Sequence, residues 1–142
     1  VSRGLGDVYK RQVIHRTSIG CYERTLALLL EKYAGALPTW LAPIQVKVLP
    51  ISDHYMEYAN SVSEELQKVG IRVEVDTRKE KIGYKIREAQ LEKVPYMLIV
   101  GEKEQAEGAV SVRDRKEGDT GSVKLNEFID TILKKVASKS KD

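Results

Sequence analysis

The chain has 142 residues, 42% of them hydrophobic and 32% charged, with a formal net charge of +3 and a pI near 8.9. That is enough apolar material for one sizeable core, and the charge balance excludes a disordered polyelectrolyte. The single cysteine, Cys21, excludes an intrachain disulfide, and the longest aliphatic run, Leu26 to Leu30, is far too short to span a membrane, so a reducing, cytoplasmic location is expected.

Residues 1–12, VSRGLGDVYKRQ, show neither helical nor strand periodicity and read as a foreign or disordered leader. From Tyr22 onward, Leu26, Leu29, Leu30 and Tyr33 recur at helical spacing, which predicts a helix from about Gly20 to Ala34 stopped by a left-handed cap at Gly35. The two prolines and lone tryptophan of ALPTWLAP describe a non-helical connector, too apolar to float free, that should pack on a neighbouring domain or a sheet edge. IQVKVLPI then alternates as a strand. Tyr55, Tyr58, Ala59, Val62, Leu66 and Val69 mark one face of a helix closed by Gly70, and IRVEVD returns as a strand.

The unit repeats once, as a helix from Ile82 to about Glu92 and the apolar strand PYMLIVG. Such βαβ units favour a parallel sheet covered on both faces. Two short strands, Ala109 to Arg115 and Gly121 to Lys124, follow as antiparallel neighbours across KEGDTG. A last helix buries Leu125, Phe128, Ile129, Ile132, Leu133 and Val136, and the tail KKVASKSKD should fray. The expected fold class is therefore α/β, a three-layer domain preceded by a helix and a linker.

Between residues 77 and 87, Arg78, Lys79, Lys81, Lys85 and Arg87 stand against one acid, Glu80, a local charge of +4 that exceeds that of the whole chain. Placed beside the end of a strand, such a cluster points to a polyanion. The competing reading is a solvated helix face, which would carry more interleaved acids. Other chemistries lack their residues. PISDHYMEY after the first strand has no glycine with which to cradle phosphate, and Asp76 ends a strand among cations, unlike a magnesium site. Two histidines and one cysteine, without triad spacing, give no nucleophile and no self-contained zinc site. In HRTSIGCYER, Gly20 reads as a turn, Glu23 favours a helix N-terminus, and Arg24 is a surface residue.

VIHRTSIGCYER, YAGALPTWLAPIQV and GIRVEVDTRKEKIGYKIREAQLEKVPYMLIVG occur in that order and spacing. Together they resemble the C-terminal end of bacterial threonyl-tRNA synthetases, from about Val13 to about Lys134. Residues 1–12 do not match, so the chain looks like a truncated member with a foreign leader. The resemblance implies residues 13–43 as the end of a catalytic domain and its linker, 44–136 as a class II anticodon-binding domain with a five-stranded mixed, mostly parallel sheet, and 137–142 as a frayed tail.

It also implies roles for individual residues. His15 matches a zinc ligand and Arg24 an ATP contact of the neighbouring catalytic domain, while Cys21 stands where serine is common. The parent enzyme would use zinc, ATP and magnesium; for this part alone no cofactor, no tight metal site and no aminoacylation activity are expected. Anticodon contacts fall on Lys79, Glu104 and Arg113, with Arg87 and Lys81 nearby. Lys79 replaces a common asparagine, and an ammonium lacks the amide's paired donor and acceptor. Glu104, otherwise a turn residue in GEKEQAEG, would accept from a base amino or imino group. Arg113 would stack on or pair with an unstacked base, and Tyr84 is either a stacking platform or a core residue. The expected partner is the anticodon loop of threonine tRNA, with no membrane; the parent is expected as a homodimer and this part as a monomer. A protein-interaction or dimerisation module with an incidental basic face is the alternative.

Overall fold

The computed structural model describes residues 14–140; the leader expected over residues 1–12 lies outside them. Helix α1 (Tyr22–Tyr33) leads into an irregular linker, followed by β1 (Val46–Pro50), α2 (Met56–Lys68), β2 (Val73–Val75), α3 (Ile82–Leu91) and β3 (Tyr96–Val100). A short α4 (Glu102–Glu107), β4 (Ala109–Asp114), β5 (Gly118–Lys124) and α5 (Leu125–Ser138) complete the chain.

The five strands form one mixed sheet in the order β2-β1-β3-β4-β5. β1 pairs parallel with β2 and β3, whereas β4 pairs antiparallel with β3 and β5, so parallel and antiparallel pairings are equal in number. β1 is buried at every position and β3 at all but Ile99, as the apolar runs require of strands covered on both faces. On one face Val46, Val48, Leu98, Val110 and Val112 meet Ala59, Val62 and Leu66 of α2 and Phe128 and Ile132 of α5. On the other, Leu49 and Met97 meet Ala89, Ile82 and Ile86 of α3. This is the three-layer α/β/α arrangement the periodicities imply.

Several details differ from the sequence expectation. The left-handed cap of α1 is Ala34, at φ 50, one residue before Gly35, whose φ is also positive at 79. GEKEQAEG folds as α4: the Glu104 carboxylate reaches back to accept from the Gly101 N–H, the half of a capping box that needs no N-cap side chain, and Gly108, at φ 62, closes the helix. β5 begins at Gly118, which shortens the turn, and α5 runs on to Ser138 through residues expected to fray.

The linker is held down by side chains of the domain. Arg115 Nη1 donates to Leu37 O at 3.1 Å, and Gln45 Nε2 donates to Thr39 O at 2.9 Å. Arg72 donates from Nη2 to Trp40 O and from Nε to Ala42 O, each at 3.0 Å, and Lys93 Nζ reaches Ala34 O. An irregular segment has no ladder to satisfy its carbonyls, and these donors take that place. In contrast, α1 has no buried residue; Tyr22 is 93% exposed, Leu28 64% and Leu26 54%.

Candidate nucleic-acid interface

The basic segment is not one continuous patch. Lys85 is 2% exposed and points inward from α3, where its Nζ donates to Pro50 O at 3.1 Å. Arg78 is committed to Asp76, with Nη2 donating to Oδ2 at 2.7 Å and both Nε and the backbone N–H donating to Oδ1 at 3.0 Å. The same guanidinium reaches Glu88 at 3.4 Å and lies 5.8 Å from the Tyr84 ring centroid. Tyr84 is 49% exposed, so it is not a core residue. Lys79 Nζ pairs with Asp53 at 3.2 Å, both side chains open to solvent. Lys81 and Arg87 are also exposed. The expectation of one basic cluster of local charge +4 is thus corrected, because periodicity within α3 turns Lys85 toward the sheet and because Asp76 offsets Arg78.

The Arg78 hydrogen bond holds the Asp76 carboxyl below the usual carboxylate range, against the opposing effect of burial. The loop carrying Lys79 and Lys81 is therefore anchored at its first turn by an ionised carboxylate.

A second cluster forms on the sheet itself. Val110 and Val112 belong to the core under α2 and α5, so strand alternation puts Ser111 and Arg113 on the opposite face. α3 covers Leu49 and Met97 on that face, and Ile99, Ser111 and Arg113 beside them are only half-buried. Arg113 sits opposite Met97, and Ser111 opposite Ile99. On the other side a register shift between Val112 and Arg113 leaves Thr120 unpaired in β5, a bulge of the kind that re-aims side chains. Among the described residues Arg113 Nε is buried without a hydrogen-bond partner.

Glu104 comes to the same place from α4. The Ser111 hydroxyl donates to Glu104 Oε1 at 2.7 Å, and the Gly101 N–H donates to Oε2 at 3.1 Å. Tyr58 donates its phenol to Ala109 O at 2.8 Å; burial raises its pKa, and the charges of Glu65 and Glu104 add to the rise. Glu104 thus meets Ser111 near the carboxyl end of β3, the strand at which the sheet changes from parallel to antiparallel pairing, and Arg113 follows two residues along β4, opposite Met97. Lys79 and Lys81 lie in the segment after β2, and Arg87 lies on α3. The sequence named Glu104 and Arg113 as candidates, whereas Ser111 and Gly101, which hold the Glu104 carboxylate, carried no signal in it.

His15 and Arg24 are exposed, and Arg24 lies in the first turn of α1. Among the described residues no group of three or more His, Cys, Asp or Glu side chains is placed to hold a metal ion, so these residues do not fit a zinc site by themselves. No described helix is long and apolar enough to cross a membrane.

The threonine–tRNA ligase of Clostridium botulinum (strain Eklund 17B / Type B) is 60% identical over 136 residues, covering 96% of this chain and 21% of that protein. The threonine–tRNA ligase of Caldanaerobacter subterraneus subsp. tengcongensis is 56% identical over 135 residues, covering 95% of this chain and 21% of its own length. The chain therefore spans about a fifth of the length of the curated relatives it matches. A crystal structure of the RNA binding domain of threonyl-tRNA synthetase from Cryptosporidium parvum Iowa II is similar with a TM-score of 0.75 and 38% identity, covering 79% of this chain and 28% of that one. Residues 45–135 match the family described as the anticodon binding domain, and this match, which takes in every strand of the sheet, shows that the chain belongs to that family.

Proposed function

We propose that this chain is the module of a threonine–tRNA ligase that grips the anticodon loop of threonine tRNA and orients its acceptor end for ATP-dependent aminoacylation by a catalytic domain. The observation that carries the reading is a fixed acceptor, Glu104, and the half-buried Arg113 two residues along β4 from the serine that holds it, both toward one half-open sheet face. Anticodon loops present unstacked bases whose edges carry both kinds of group. A carboxylate among cations repels phosphate and accepts from base amino or imino groups, so Glu104 discriminates while Arg113 pairs with or stacks on a base. The exposed cations Lys79, Lys81 and Arg87 hold the backbone without reading sequence.

In this reading residues 13–43 are the end of the catalytic domain and its linker, and 44–136 the RNA-binding domain. The apolar side chains exposed on α1 are covered by the rest of that catalytic domain. There His15 would supply one zinc donor, the others coming from that domain, and Arg24 would contact ATP, with magnesium as the nucleotide's counterion. The parent acts in the cytoplasm as a homodimer held chiefly through the catalytic domain, and this part alone performs no aminoacylation.

The decisive experiment compares affinity for the anticodon stem-loop of threonine tRNA with affinity for a version carrying swapped anticodon bases, at one salt concentration. Preference for the cognate loop, lost in Glu104→Ala while general affinity survives, is the expected result. Equal affinity for both loops, together with a complex insensitive to salt, would favour the protein-interaction alternative.

A further inference from the structure

Gly101 follows β3 and Ser111 lies within β4, and neither is among the residues assigned above to RNA contact. Both grip the Glu104 carboxylate, one on each oxygen. A carboxylate oxygen accepts in two directions, so each keeps a free lone pair for an incoming donor. The backbone of Gly101 is extended, at φ −143, and any residue adopts that conformation. Space rather than conformation favours the glycine: a Cβ there would lie 2.5 Å from Ile51 Cδ1 and 3.2 Å from Glu104 Oε2, so that both side chains would have to shift. Without a side chain the carboxylate settles against the Gly101 N–H. A glutamate left free to rotate would meet base donors in many geometries and separate them poorly, whereas one held at both oxygens presents a single geometry.

We propose that Gly101 and Ser111 are positioning residues that hold Glu104 in the one orientation from which it accepts from the amino or imino edge of an unstacked base, and so set the specificity of this site. The inference rests on the reading of Glu104 as the residue that discriminates bases.

The test uses the 142-residue chain with the anticodon stem-loop of threonine tRNA and three versions, each with one anticodon base replaced. Dissociation constants for wild type, Glu104→Ala, Ser111→Ala, Ser111→Thr and Gly101→Ala give a selectivity ratio for each protein. Ser111→Ala should lower the ratio about tenfold, as expected for losing a hydrogen bond to a charged group, while the affinity for the swapped loops changes by less than about twofold. Ser111→Thr, which keeps the hydroxyl, should restore it. Gly101→Ala should fold, because Ile51 Cδ1 is the free end of a side chain 46% exposed, and should lose selectivity as Ser111→Ala does. Its amide proton resonance should move as the bond to Glu104 lengthens, without RNA present. If Ser111→Ala and Gly101→Ala keep wild-type selectivity while Glu104→Ala loses it, the positioning role is overturned and the reading of Glu104 stands. If Glu104→Ala itself keeps selectivity, both fall together.

Discussion

Arg115 and Leu37 are 78 residues apart in sequence and joined by a hydrogen bond of 3.1 Å, from the guanidinium just beyond β4 to a carbonyl of the linker. The same Nη1 donates to Lys93 O at 3.0 Å, so one side chain ties the linker to the turn before β3. Arg115→Ala should cost about 1–3 kcal/mol, the range for charged hydrogen bonds at a partly exposed site. Trp40, the lone tryptophan, has its Nε1 buried and Lys139 Nζ 5.8 Å from its ring centroid. Its emission should shift to longer wavelength in the variant, and chymotrypsin should cut faster between residues 37 and 41. Unchanged emission and cleavage would mean that Arg72 and Gln45 suffice to hold the segment.

Asp76 predicts an acid-dependent loss of stability. Its folded pKa is lowered chiefly by the Arg78 hydrogen bond, below an unfolded value of about 3.9. The contribution is fully present above that unfolded value and is lost as pH falls through the folded one. Below about pH 4 the urea midpoint of the wild type should fall more steeply than that of Asp76→Asn. Near neutral pH the variant should be the less stable, by about 1–3 kcal/mol. Parallel curves would remove Asp76 from the account.

Lys85 and Lys81 sit four residues apart and should behave in opposite ways. Lys85→Ala removes a buried stem and a hydrogen bond to Pro50 O, so stability should drop by about 2–3 kcal/mol with no change in the salt dependence of RNA binding. Lys81→Ala should leave stability within about 0.5 kcal/mol, weaken every tRNA alike, and reduce the salt slope by about 0.7. Denaturation and salt titrations on both variants decide the matter.

If Lys79 contacts RNA as proposed, Asp53 competes for it. The exposed pair contributes about 0–1 kcal/mol, so Asp53→Asn should hardly alter the melting temperature. Freed of that anion, Lys79 should raise affinity for all loops about two- to threefold at low salt, with the gain fading as salt screens it. A variant that binds no better would argue that Lys79 stays out of contact with phosphate.

Much of the fold was legible because burial and periodicity coincide. The stripe Ala59, Val62, Leu66 and the stripe Phe128, Ile132 are the residues that pack on the sheet, and the runs around Val48 and Leu98 are its central strands. α4 was not legible: six residues rich in Glu carry no apolar period, and the helix depends on a cap contributed by a neighbouring strand end. β5 was read too short because Gly118 and Asp119 look like turn residues, and only pairing with Asp114 and Arg113 makes them a strand. The basic segment was over-read, since a count of charges does not register that one lysine faces inward and one arginine is already paired.

The sequence alone determined the order of helices and strands, the core stripes and the resemblance that singled out Glu104 and Arg113, because each is written in local spacing of apolar or motif residues. The tertiary structure alone decided which cations face solvent, how the linker carbonyls are satisfied, and that Ser111 and Gly101 hold Glu104. Those relations join β3, α4 and β4 through strand register and a space that a Cβ would crowd, and neither has a local signature in the chain.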